Sequence, residues 1–403
     1  MNNSINRRGD ISHLLGLDTS GVFGILLAIF WTSANLVYFA RGVVSAVFGS
    51  EVASFFIPFI YIVFGLLSLP FIARRIRLYD VFVFMLIIAY FFACYSLYPF
   101  NIPYLDSVKE VFLFYCLPGL FVGLALDYGK CERVIYVASF AAVLLTAFST
   151  LLGGGKVGDG GIEDMNRSYS MLAPVIVMTW RFFTYRKPVD LLVLMIGFVL
   201  IFALGARGPL AIYAIFIILY FLIFRKYKHP FWARTGLVVL MICVLLFLNP
   251  ILNMLGSMAA GIGLSNRVSE FAVSGDLLEF RGRDIIAANV LYRTVNGPFW
   301  GNGFCADRGY SDFFDTDTYA HNIALELWAE FGFLGGSIIL IFILISFFKA
   351  IRKSKDENEK MFVLIMFVSG FCSLLVSGTY LWKDMFFIAL GLFVSISRRK
   401  ITI

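Results

Sequence analysis

Apolar residues run along this chain in long blocks, separated by short breaks that are basic or rich in glycine and polar residues. Twelve blocks read as membrane-spanning helices, at about 22–40, 53–73, 79–98, 110–126, 133–152, 170–184, 189–205, 208–224, 233–250, 331–348, 361–379 and 382–397. Most approach the ~20 residues needed to cross a hydrocarbon core; those at 170–184, 189–205 and 382–397 are shorter. The expected fold class is all-α: a polytopic bundle of about twelve transmembrane helices, with residues 1–403 as one integral membrane domain. One loop, at about 250–330, is too long to be a plain connector and is expected to contain helices and part of an active site. No internal repeat, heptad pattern or low-complexity tract is present.

Composition agrees with the pattern. The 403 residues are 60% hydrophobic and only 15% charged, with mean hydropathy +0.86. A water-soluble fold of this size would carry far more polar surface. The formal net charge of +7 would suit a nucleic-acid partner if it formed a patch, but most Lys and Arg flank apolar blocks. There they orient spans, so no nucleic-acid partner is expected. With the N-terminus inside, every inside connection is basic, from Arg7 and Arg8 through Arg74, Arg75 and Arg77 to Arg398, Arg399 and Lys400. An even span count with both termini cytoplasmic follows, and the 250–330 loop falls outside. The first twenty residues are polar and no cleavable signal is expected there; the first span drives insertion. Cys94, Cys116, Cys243 and Cys372 fall in spans, Cys131 in a short loop and Cys305 in the long one, in no metal or disulfide spacing.

Ionisable residues that the orientation rule disfavours carry the chemical information. Arg207, in LGARGPL, lies at the outer end of a span, with Gly208-Pro209 opening the next. Its guanidinium suits a bidentate grip on phosphate oxygens, or snorkels to lipid headgroups. The long loop holds EFRGRDIIAANVLYRTVNGPFWGNGF (279–304), a helix-like stretch with Arg281, Arg283 and Arg293 that Pro298 ends and Gly301-Asn302-Gly303 turns. Arg281 and Arg283 flank Gly282 and could converge on one diphosphate, or form salt bridges on a solvated helix. Asp315-Thr-Asp317 superficially resembles an Asp-x-Asp metal site, but hard cations need more oxygen ligands than this run guarantees, so no metal is expected.

The stretch AHNIALELWAEFGFLGG begins at Ala320 and includes His321, the one histidine of three that the topology places outside. Read as a helix, 321–331 sets Asn322, Glu326 and Glu330 on one face and Ile323, Leu327 and Phe331 on the other. Gly332, Gly335 and Gly336 then permit close helix packing in the membrane. A near-neutral imidazole held at headgroup depth is well poised to take a proton from a hydroxyl, although ordinary interfacial histidines also sit there.

These residues resemble a known family. His321-Asn322, nine residues, Gly332, two residues and Gly335 resemble the His-Asn/Ser-x9-Gly-x2-Gly signature of the O-antigen ligase and O-antigen/capsular polysaccharide polymerase superfamily. LGARGPL resembles its Arg-Gly element, and GRDIIAANVLYRTVNGPFWGNGF its Arg…Pro…Gly-x-Gly segment. The resemblance covers about 200–397 well and the N-terminal half only in general character. An Arg-x10-Gly pattern described for some polymerases is not cleanly present around Arg281, Arg283 or Arg293.

The resemblance implies a metal-independent, inverting glycosyltransferase on the outer face of the bacterial cytoplasmic membrane, needing no cofactor. Its donor would be a glycan on undecaprenyl diphosphate and its acceptor another glycan, with a flippase and a chain-length regulator as partners. His321 would be the base. Arg207 and Arg283 would bind diphosphate, with Arg281 competing for the second role, and Asn322, Gly303 and Arg293 would support the site. Polymerase is preferred, because the compact outer loops and the aliphatic-aromatic spans resemble capsule and O-unit polymerases. A ligase to a lipid or protein acceptor is the alternative. A lipid-linked oligosaccharide flippase or transporter is the rival from another class, disfavoured because the spans are nearly free of charges.

Overall fold

The computed structural model describes residues 72–73, 75–126, 128–152, 162–204, 208–224, 283–308 and 319–399. The expected spans at 22–40 and 233–250, and nearly all of that at 53–73, lie outside these residues. Every regular element among the described residues is helical: α1 (Leu78–Leu97), α2 (Ile102–Glu110), α3 (Gly119–Ala125), α4 (Tyr128–Leu152), α5 (Ile162–Tyr185), α6 (Pro188–Ala203), α7 (Gly208–Ile223), α8 (Arg283–Asn296), α9 (Ile323–Lys353), α10 (Glu357–Gly370) and α11 (Asp384–Ser397). A π-helical turn, Val111–Cys116, joins α2 to α3, and short 3₁₀ turns cover Cys372–Leu375 and Tyr380–Trp382.

Five stretches are long and apolar enough to cross a membrane: Leu78–Leu97, Pro99–Ala125, Cys131–Thr150, Ile323–Lys353 and Glu357–Leu375. Helices α6, α7 and α11 are apolar but shorter. The boundaries differ from expectation where polar residues continue a helix past its apolar core. Helix α4 begins at Tyr128, so Cys131 is buried in a helix, and α5 begins at Ile162, eight residues before its apolar block.

Helix α10 is the most enclosed, with every residue from Met361 to Gly370 buried. Large apolar side chains such as Phe82, Met85, Leu192, Met195 and Ile338 point outward, a surface that suits lipid. The closest helix contact is between α3 and α11: a Cβ on Gly123 would lie 2.0 Å from the Ile388 carbonyl oxygen, and one on Gly391 2.2 Å from that of Leu120. Only glycine permits this approach.

Helix α9 has 31 residues, about 46 Å of rise and more than a ~30 Å hydrocarbon core requires. It breaks at Gly332, where φ is +72°. The expected role of Gly332 and Gly336 in helix packing gives way to this kink. A Cβ at Gly332 would strike the Phe299 carbonyl, and one at Gly336 the Leu327 carbonyl of the same helix. The break frees carbonyls on the first segment, and the turn after α8 fills them: Asn302 N–H donates to Ala329 O and Gly303 N–H to Glu330 O, both at 3.0 Å.

The two ends of the bundle differ. At one, Arg398 pairs with Asp80 at 2.6 Å and Arg399 with Glu359 at 2.7 Å, and Arg75 donates to Ala125 O. The other holds the 297–308 turns, the start of α9 and the 375–383 segment. Asn101 ties the first of these to α2, donating to Asn302 O and Phe304 O.

Candidate functional site

Asn322 caps α9. Its Oδ1 accepts from the Ala324 and Leu325 amides at 2.9 and 3.4 Å, satisfying donors that a helix start leaves open. Its Nδ2 donates to Leu375 O at 3.1 Å. At the first residue of α8, Arg283 donates to the next carbonyl, Val376 O, at 3.2 Å. The two motifs are 39 positions apart in sequence yet meet on adjacent carbonyls of one turn, which brings Arg283 within electrostatic reach of the His321 ring.

His321 adopts φ +52°, a left-handed conformation uncommon for a side chain of this size. Its ring lies 4.0 Å from the Tyr319 ring, centroid to centroid. Nδ1 is buried without a hydrogen-bond partner among the described residues. Burial, and then the Arg283 charge, pull the imidazole down from its usual 6.5 to about 4. The ring is therefore neutral at physiological pH, with Nδ1 open among the described residues.

Below it lies a charge cluster that sequence reasoning missed as a unit. Glu326 accepts from the Thr379 hydroxyl and, at 3.3 Å, from the Tyr380 amide. Glu330 accepts from the Tyr380 hydroxyl and, at 2.8 Å, from the Cys305 amide. Asp307 and Arg308, each 1% exposed, sit beside them, with Arg308 Nε 4.0 Å from Asp307 Oδ1. The i, i+4 spacing of the two glutamates was legible; their partners were not, since Asp307, Thr379 and Tyr380 follow no pattern in the sequence. Oxygens of Asp307, Glu326 and Glu330 lie within 4.8 Å of one another, close enough to share a cation. Yet Arg308 already stands beside them as counter-charge, and all four glutamate oxygens accept hydrogen bonds.

The other expected site residues separate into three groups. Gly303 (φ +79°) is on the turn that caps the α9 break and lies against the Tyr98 ring. Arg293 is exposed on α8, ten residues and about 15 Å of helix rise from Arg283. The structure does not bring it to His321. Arg207, Arg281 and the Asp315/Asp317 pair lie outside the described residues. Gly208, next to Arg207, faces Tyr169 so closely that a Cβ would meet its hydroxyl, and that hydroxyl has Ser377 and Arg283 within reach.

Comparison with known families adds one finding. Residues 191–340 match the family model described as O-Antigen ligase, a segment that includes Arg207, Arg283 and His321. The match supports the resemblance that the motifs carry, over that segment of the chain. No curated protein matches the chain.

Proposed function

We propose that this protein is a membrane glycosyltransferase that polymerises glycan repeat units carried on undecaprenyl diphosphate, with its site on the extracytoplasmic face of a bacterial cytoplasmic membrane. His321 takes the proton from an acceptor sugar hydroxyl as that oxygen attacks the anomeric carbon of the donor. The bond from that carbon to the diphosphate oxygen breaks with inversion, and the lipid diphosphate leaves. Arg283, with Arg207 and Arg281 as further candidates, stabilises the negative charge that develops on it. No metal is required in this scheme, because guanidinium groups supply the positive charge.

The observation that carries the reading is that Arg283 and Asn322, the neighbour of His321, meet on adjacent carbonyls of one turn, which sets the Arg283 charge near a neutral imidazole. An apolar groove of about 450 Å³ also runs between α1, α9 and α11, from Arg398 and Asp80 to Phe304 and Tyr380 beside the charge cluster, and suits hydrocarbon. Transfer of the glycan to a lipid acceptor is the second reading, favoured by the description of the matched family.

Purified protein incubated with a lipid-linked repeat unit tests both. A ladder of products on a gel supports polymerisation, and a single shift that needs a second acceptor supports ligation. Translocation of the lipid-linked glycan across liposomes without release of polyprenyl diphosphate would overturn both in favour of transport.

A further inference from the structure

Asp307 and Arg308 are the most deeply buried charged neighbours in the 297–308 turns, and their contacts lead to one place. The Ala320 amide donates to Asp307 Oδ2 at 2.8 Å, and the next residue is His321 in its left-handed conformation. The Arg308 guanidinium lies 5.8 Å from the Tyr319 ring and 5.2 Å from the Trp382 ring, with those two rings 6.0 Å apart, edge to face. Tyr319 in turn packs against the His321 ring, tilted at 41°.

We propose that the Asp307–Arg308 pair positions His321, Asp307 by pinning the backbone that enters it and Arg308 by holding the aromatic ring against which it rests. The proposal rests on the reading of His321 as the base. A generic structural arginine ties loops together through its hydrogen bonds, but all three Arg308 guanidinium nitrogens are buried without a hydrogen-bond partner among the described residues. What Arg308 faces is the Tyr319 and Trp382 rings and the Asp307 carboxylate, and a desolvated cation is held strongly over such rings. Asp307, Glu326 and Glu330 supply its counter-charge. A left-handed histidine persists only where its surroundings over-determine it, and Asp307 provides that constraint one residue upstream.

The test uses full-length protein with His13→Gln and His229→Gln, so that His321 is the single imidazole. Its titration is followed by NMR in detergent beside steady-state turnover of a lipid-linked repeat unit. Asp307→Ala and Tyr319→Leu are expected to lower kcat by about tenfold or more with little change in KM, since misplacing a reacting group by an ångström costs rate. Both should move the His321 midpoint from about 4 toward 6.5 as the ring, faced by Arg283 and Tyr319, becomes solvated. Asp307→Asn keeps an acceptor for the Ala320 amide and should recover most of both. A wild-type midpoint and kcat in Tyr319→Leu, or Asp307→Asn as damaged as Asp307→Ala, overturns the proposal. If Asp307→Ala does not fold, the other two variants carry the test. If His321→Ala retains turnover while these midpoints still move, the base assignment fails and the positioning stands. If His321→Ala is inactive and the midpoints do not move, positioning alone fails.

Discussion

The two ends of the bundle spend their charges differently. At the Arg398 end, Asp80 and Glu359 are each buried against an arginine, and Glu359 also accepts from the Lys355 amide. At the His321 end, Asp307 Oδ1, all three Arg308 guanidinium nitrogens and His321 Nδ1 are buried without hydrogen-bond partners among the described residues, whereas at the opposite end one atom each of Tyr128, Arg181 and Asp190 is left so. Backbone strain divides the same way. Of the described non-glycine residues with positive φ, Cys305 and His321 are at this end and only Arg186 is elsewhere. Such conformations cost about 1–3 kcal/mol each and collect where function needs a fixed geometry. A membrane protein needs one end built for anchoring and can tolerate incomplete satisfaction where a substrate is to be met.

The sharpest way to break this comparison is to remove the strained residue. His321→Gly should lower turnover by roughly 10²–10⁴-fold, the usual contribution of a positioned base. Because glycine adopts positive φ freely, the variant should unfold at a higher temperature than His321→Ala, which loses the same ring but keeps the strain. A His321→Gly no more stable than His321→Ala, measured by scanning fluorimetry, would mean that the backbone at this residue is not strained. Arg283→Lys is expected to cost less, about 10–10²-fold, because a point charge keeps the field at His321 and loses the two-pronged grip on a diphosphate. Arg283→Gln should cost more and also raise the His321 midpoint.

The pH profile sharpens the same contrast. His321 in the folded protein protonates near 4, below its ordinary 6.5. A base must be neutral, so kcat/KM should fall only as pH drops through about 4, with no inflection near 6.5. A bound diphosphate offsets the Arg283 charge and so should move the corresponding limb of kcat upward, since kcat reports the occupied site. The sign for stability follows from the same shift: the unfolded chain binds the proton more readily, so this group's contribution is complete above 6.5 and declines as pH falls toward 4. A kcat/KM limb at 6.5 would show that the ring is solvated.

How much of this was legible follows from what each feature depends on. Helices α1, α6, α7 and α11 were readable to within a few residues, because an apolar block in a bilayer must satisfy its own backbone. His321, Asn322 and Arg283 were readable as motifs. The convergence of Asn322 and Arg283 on Leu375 and Val376 was not, since those carbonyls belong to a turn with no signature of its own. Gly332 was read as a packing residue, yet it kinks α9; only the position of Phe299 and Gly301 against it shows that. The Arg281/Arg283 ambiguity was inherent, because two arginines around one glycine have equal claims; Arg283 donates to the Val376 carbonyl, and Arg281 lies outside the described residues. Asp307 and Arg308 were hidden for the opposite reason: a buried charge is recognised by what surrounds it in space.

The smallest effect on turnover is expected at the opposite end. Arg399→Ala leaves Glu359, 3% exposed, without its cation but still accepting from the Lys355 amide. Removing one partner of a buried ion pair costs about 3–5 kcal/mol, less here because Arg399 is partly exposed. The variant should therefore lose thermal stability and keep kcat and its pH limb unchanged, because nothing joins this pair to His321 except the length of the bundle. If kcat falls in proportion to stability, or the limb moves, the two ends are coupled through α10 and α11, and the division between an anchoring end and a reacting end does not hold.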